Sequence, residues 1–337
     1  MSVDGVSADE GFSGGRMGAG VVEDGETGAD EVYDAAAGPG SGSRRVTDGG
    51  LRAGSAFVFS QAGVREFRVQ AQESAATYGS ALYGHGVGGA VTTVSRSGGT
   101  SLHAMAFYTG RSSAWAATNP FSVASTYADG AVNSALVKPK DLRQQFGGSV
   151  GGPLAAWHDG SRRRAAERVF FFYSFDGQRR DFPGISSPGY AGFYSLTATQ
   201  MALLANRGVT RAKTNAALNY LNGLTGAVAR SSSQTVNFGR LDWQRTGGSR
   251  VAFEYNRARW GGPGAGRSGA VVDRGVASMG SSYGAVDAAV ARWVQMLSKG
   301  LSNEVRAQYA HELQYEIAEA PLAQEPNIGP GGMPPEV

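Results

Sequence analysis

Apolar and polar positions along this chain alternate in short arms, and the stretches between them carry no sustained period. Val64, Phe67 and Val69 mark a first strand with Arg65, Arg68 and Gln70 interleaved. Ala90 to Ser95 is β-branched, Ser97-Gly98-Gly99 turns the chain, and Leu102 to Thr109 begins a second series. From there seven arms are predicted, near residues 101–110, 143–152, 167–179, 234–245, 250–260, 285–298 and 301–317. A two-residue period sends successive side chains to opposite faces of a sheet. Phe171, Tyr173 and Phe175 therefore share one face, and Phe170, Phe172, Ser174 and Asp176 the other. Val251, Phe253 and Tyr255 oppose Ala252, Glu254, Asn256 and Ala258 in the same way. In the last arm Val305, Tyr309, Leu313 and Tyr315 oppose Glu304, Arg306, Gln308, Glu312 and Gln314.

Elsewhere the period changes or fails. Residues 112–140 have no sustained period and are expected to be a long excursion. Met201, Leu204 and Ala205, then Ala217, Leu218 and Leu221, follow helical spacing, with Gly208 and Gly223 as stops. Thr246-Gly247-Gly248-Ser249 supplies a tight turn between two alternating arms. Residues 261–284 are predicted to form a glycine-rich loop, and 321–337 an irregular tail. Arg257 and Arg259 fall on the apolar side at the far end of their arm, where long side chains would reach water.

Composition sharpens this picture. Glycine, at 51 of 337 residues, is about twice its average share, which suits bends and sheets better than helical bundles. Residues 8–56 carry almost no bulky apolar group and are expected to be a mobile or disordered loop. A net charge of +3 gives no case for nucleic acid as a partner. The absence of cysteine excludes disulfides, zinc-thiolate sites and cysteine nucleophiles. No stretch approaches the roughly 20 apolar residues of a membrane helix, which leaves barrels open, since their alternating strands escape hydropathy scans.

Motifs for chemistry fail on context. Gly147-Gly148-Ser149-Val150-Gly151 matches a nucleophile elbow, but no helix follows it. Gly84-His85-Gly86-Val87-Gly88-Gly89 matches a dinucleotide loop, but the strand Ala90 to Ser95 follows where a helix is required. His85, His103, His158 and His311 lack ligand spacing, and Asp24, Glu26, Asp30 and Glu31 lack the spacing of a calcium loop. Asp176, Asp242, Glu254 and Glu304 are better placed as partners of arginines of matching parity, such as Arg240 and Arg306. The expectation is a protein that is not an enzyme, with no catalytic, cofactor or metal residue to assign and its ligand-binding residues unknown.

Several of these segments, in order, resemble one family. VREFRVQ, the ATYG segment and GGAVTTVSRSGG resemble the end of the plug of TonB-dependent outer-membrane receptors, Oar-like branch, as the plug enters its barrel. QFGGSVGGPL followed by VFFFYSFDGQR, and later LSNEVRAQY, resemble barrel hairpins of the same group. Thr77 stands where a Glu is usual, Thr92 where an Asn is usual and Arg96 where a Lys is usual. The resemblance implies a mainly β fold, a partial transmembrane antiparallel barrel preceded by part of a plug domain. Residues 1–99 would be the partial plug and 100–337 the N-terminal portion of a barrel of roughly 22 strands. It also implies a place in the outer membrane, among lipid, and import of a scarce solute driven through a TonB-type coupling protein. A signal peptide, an energy-coupling box and the remaining barrel strands are expected to be missing from the chain as read. The alternatives are a non-transporting surface β-protein, such as an adhesin or secretion accessory, and an inactive gene fragment.

Overall fold

The computed structural model describes residues 2–3, 6–7, 60–70, 90–128, 130–154, 169–188, 191–245, 248–264 and 269–324. The chain divides into two compact units, 1–58 with 67–93, and 59–66 with 94–337. β1 (Ser2–Val3) pairs antiparallel with β2 (Val6–Ser7) and parallel with β4 (Ala90–Ser95). With β3 (Val64–Gln70) these make a sheet in the order β2-β1-β4-β3. The expected loop 8–56 and the glycine motif 84–89 lie outside the described residues.

The second unit is built on one seven-stranded sheet. Its strands are β5 (His103–Ser112), β8 (Leu142–Pro153), β9 (Val169–Asp181), β12 (Ser231–Gln244), β13 (Arg250–Pro263), β15 (Ser281–Ser298) and β16 (Leu301–Ile317). They are the seven arms predicted from alternation. All neighbours are antiparallel and sequential within the sheet, and among the described residues β5 and β16 are its two edges. The predicted loop 261–284 is shorter than expected, because β13 runs to Pro263 and β15 starts at Ser281. Cross-strand pairing with Ser233 and Ile317 extends those strands past the point where sequence alternation fades.

One face of the sheet is dry and the other is open. Phe172, Phe238, Val286, Ala252, Ala258 and Ala288 are buried on the dry face, with Ser174, Asp242, Glu254 and Asn256 beside them. Phe172 and Phe238 meet at 6.3 Å between ring centroids, and each contributes about 1.5–3 kcal/mol by leaving water. Tyr173, Leu241, Trp243, Phe253, Tyr255 and Trp293 are large, apolar or aromatic, and exposed on the other face. An apolar face left open in this way is the inverse of a soluble sandwich, where the apolar side is covered. Arg245 lies over the Trp243 ring at 5.2 Å, and Trp293 Nε1 donates to Ser249 Oγ at 3.0 Å, close to the β12–β13 connection. Thr246 and Gly247 of that connection lie outside the described residues, and Arg245 N donating to Ser249 O at 2.8 Å closes it.

Connections at the two ends differ. Residues 245–249 and Lys299-Gly300 join strands tightly at one end. At the other, residues 113–141, 182–230 and 264–280 are long and partly folded. Within 113–141, expected to lack regular structure, β6 (Val123–Ala128) and β7 (Ala131–Leu136) form a hairpin. The Asp129-Gly130 dipeptide between them is the signal that identifies it. The two predicted helices are present as α1 (Ala198–Asn206) and α2 (Arg211–Gly223), capped by Thr197 and Thr210. Gly208 stops α1 in the left-handed conformation, φ 75°, that a side chain would resist. A small sheet, β11 (Gly226–Val228), β10 (Gly184–Ser186) and β14 (Val271–Val272), completes this layer.

Candidate functional site

The dry face carries chemistry at both ends, organised differently. Near the tight turns, chain that precedes the first sheet strand lies against the sheet. The short helical turn Gln61–Gly63 packs on β9 and β8. A Cβ at Gly63 would lie 3.0 Å from Ser174 Oγ. Arg96 N donates to Gly63 O at 2.8 Å and Arg96 Nε to Val64 O at 2.9 Å, so the two passes of chain hold each other. At Gly98 a Cβ would come within 2.3 Å of the Phe171 carbonyl oxygen, so glycine is required for this close approach.

Arg240 ties that chain to the strands. Its Nη1 donates to Ser95 Oγ at 2.6 Å and to Glu254 Oε1 at 2.7 Å. Its Nε and Nη2 donate to the two Asp242 oxygens at 2.8 and 2.9 Å, a fork-on-fork pairing. Glu304 accepts from Arg292 at 2.7 Å and from Arg306 at 2.5 Å. The arginine partners expected from parity are therefore found for Asp242, Glu254 and Glu304. Asp176 departs from the expectation: it accepts from Gln145 Nε2 at 3.2 and 3.3 Å, because Gln145 and not an arginine is within reach across the strands.

At the long-connection end, register brings arginines together. Arg111 is the cross-strand partner of Arg143, and Arg143 of Arg180, so three guanidinium side chains occupy one row of the dry face across β5, β8 and β9. Asp141 sits among them, accepting from Arg180 Nε at 3.0 Å and Nη2 at 2.8 Å. Burial pushes the Asp141 carboxyl up, but the Arg180 hydrogen bonds and the charges of Arg180, Arg143 and Arg111 outweigh it and hold it below the usual carboxylate range. Arg180 also lies over the Phe182 ring at 4.3 Å, with Arg230 over the same ring at 4.9 Å. Arg230 donates to Phe182 O and Gly269 O at 3.1 and 2.7 Å. Its burial, then the nearby Arg180 charge, lowers its pKa to about 10, with Asp141 opposing. One row further from the connections stand Gln145, Gln178 and Gln234, mutually paired in register, and Gln234 Nε2 is buried without a hydrogen-bond partner.

The folded layer beyond this row is held by side-chain hydrogen bonds. Ser187 Oγ accepts from Ser125 N at 2.8 Å and donates to Ser125 O at 2.9 Å. Tyr127 OH donates to Asn215 Oδ1 at 3.0 Å, and Tyr127 N donates to Asn222 Oδ1 at 2.8 Å. Tyr194 stacks on Tyr127 at 5.5 Å, and its phenol is pushed up by burial against an opposing bond to Thr225. Trp115 and Phe121 project from the layer, 83% and 89% exposed.

Other residues singled out by sequence find ordinary places. Ser149 lies mid-strand on β8, buried, with no helix after it. His103 and His311 are on β5 and β16, while His85 and His158 lie outside the described residues, as do Asp24, Glu26, Asp30 and Glu31. Among the described residues no group of three or more acids and histidines is arranged to hold a metal. Arg257 and Arg259, expected to reach water, are respectively exposed and half-buried on the open face, where they flank Asp287. Arg259 donates to its Oδ2, and Tyr255 OH donates to its Oδ1 at 2.6 Å.

Residues 94–188 match the family model described as an outer membrane beta barrel domain. No curated protein and no solved structure matches the chain. The matched segment covers β5, β8 and β9. The chain is an outer-membrane β-barrel protein, located in the outer membrane. No helix among the described residues is long and apolar enough to cross a membrane. The open face is the lipid side, the dry face the inner side. Tight turns at one end and long connections at the other match the asymmetry of outer-membrane barrels, whose long loops are extracellular.

Proposed function

We propose that this chain is part of a TonB-dependent receptor of the Oar-like branch, which binds a scarce solute at the cell surface and imports it with energy relayed from the inner membrane. The chain ahead of the first barrel strand carries this assignment. Residues 60–64 and 95–98 run along the inner face and are fastened there by Arg240 through Ser95. A barrel that encloses its own preceding chain is blocked to free diffusion. It needs an external pull to open, which is the task of a coupling protein of the TonB type. The order of VREFRVQ, GGAVTTVSRSGG, QFGGSVGGPL and VFFFYSFDGQR supports the same family. In this scheme residues 1–99 act as plug, 100–337 as barrel wall, and no residue performs covalent chemistry.

The test is growth under scarcity. Cells carrying the gene, with and without the coupling protein, are supplied with chelated iron, cobalamin or an oligosaccharide as the limiting solute. Growth on one solute that requires both the gene and the coupling protein is expected. A gene effect that persists undiminished without the coupling protein would overturn import. One observation favours a second reading, a surface β-protein that holds a partner without transporting it: the exposed Trp115 and Phe121. That reading gives surface binding with no growth effect in either strain.

A further inference from the structure

We infer that the outer mouth of this barrel binds a small solute through carboxylate or phosphate oxygens, received by the row Arg111, Arg143 and Arg180. As a statement about the imported solute this rests on the receptor reading; as a statement about binding it stands on the row. Like charges directly opposite each other on neighbouring strands, about 4.8 Å apart, oppose folding of the sheet. Nothing in strand propensity calls for arginine at three successive cross-strand positions, two of them paired with a third between them. Their geometry is suited to an oxyanion, because a planar guanidinium fork matches the two oxygens of a carboxylate or phosphate.

Asp141 shows the same chemistry from within the chain. Its carboxylate already takes the bidentate position on Arg180, 2.8 and 3.0 Å away. It also orients that side chain, which lies over the Phe182 ring at 4.3 Å. The receiving surface is thereby stiffened before a ligand arrives, which lowers the entropy lost on binding. Below the row, the Gln234 amide nitrogen is buried and lacks a partner, an independent sign of a donor awaiting an acceptor. All three arginines sit within two residues of the ends of β5, β8 and β9 that lead into the long connections, so the row is at the entrance facing the exterior.

The experiment uses the full chain in detergent micelles, titrated calorimetrically with citrate and, separately, with pyrophosphate at low salt. Saturable binding of at least one probe is expected; which one binds identifies carboxylate or phosphate as the preferred group. Arg111→Ala and Arg143→Ala should each weaken it about tenfold or more, the scale of a lost charge-assisted hydrogen bond. Arg143→Lys should restore part of the affinity, and Gln234→Ala should weaken it less than either alanine variant. Arg111 is exposed on an edge strand, so its truncation leaves the sheet intact. Arg257→Ala, on the lipid side, should bind as the parent does. Absence of saturable binding of both probes, unchanged affinity in Arg111→Ala and Arg143→Ala, or an equal loss in Arg257→Ala would each overturn the site. Binding without coupling-dependent growth removes the receptor reading and keeps the anion site. Growth with neither probe bound removes the anion site alone.

Discussion

Two sets of arginines line the inner face of this barrel, and they are treated oppositely. Near the tight turns, Arg240 is enclosed by two carboxylates and a hydroxyl of its own chain, to which it donates four hydrogen bonds. At the mouth, Arg111, Arg143 and Arg180 stand opposite one another with Asp141 seated at one end. A buried ion that is fully matched is a fastening; its removal strands the partners. A row of like charges at an entrance gains little for stability, and the anion site proposed above is a use for it.

The largest expected effect tests the fastening. Arg240→Ala leaves Asp242 and Glu254 buried together without their cation and should cost about 3–5 kcal/mol, measured by denaturant unfolding of the chain in micelles. A loss under 1 kcal/mol would mean the cluster is hydrated and the contrast between the two ends is false. Next is the contrast between faces. Phe253→Arg puts a charge on the lipid side and should cost about 2–4 kcal/mol if near the bilayer midplane, whereas Gln314→Arg on the inner side should stay within about 0.5 kcal/mol. Equal costs would mean that the faces are assigned the wrong way round.

Smaller effects sharpen the mouth. Tyr127→Phe removes the bond to Asn215 and should loosen the outer layer by about 0.5–1.5 kcal/mol, seen as faster proteolysis of residues 123–136 with the sheet unchanged. Arg143→Ala should alter stability by less than about 1 kcal/mol, and in the stabilising direction if repulsion across the row dominates. A loss comparable to that of Arg240→Ala would make the row structural. The least effect concerns pH. Asp141 titrates below its ordinary value in the folded chain, so its contribution is present above that value, near 3.8, and fades as pH falls through the folded one. Resistance of the outer layer to pepsin should hold from about pH 6 to about pH 4 and drop below that. Asp141→Asn should remove this acid step.

Much of the sheet is legible in the sequence. Alternation located all seven strands, and parity placed Phe172 and Glu254 on one face with Tyr173 and Phe253 on the other. It also found the acids that meet Arg240 and Arg306. The hairpin 123–136 was missed because its arms are six residues of mostly small side chains, stabilised by Ser187 and α2 from distant parts of the chain. The pairing of Arg257 and Arg259 with Asp287 is not legible in the sequence, because a partner on the next strand cannot be seen along a single arm.

The sequence by itself determined periods, and a period fixes which face a side chain takes within its own strand. It determined the membrane-facing surface, the helices and the short turns for that reason, since each is a local property of a few consecutive residues. Only the tertiary structure decided the register between strands, and register is what sets Arg111 against Arg143 and Arg143 against Arg180. Pairing depends on turn length, on bulges and on which side chains fit across 5 Å or so of sheet. A slip of two residues keeps every side chain on its face, so alternation alone carries no trace of which arginines become neighbours.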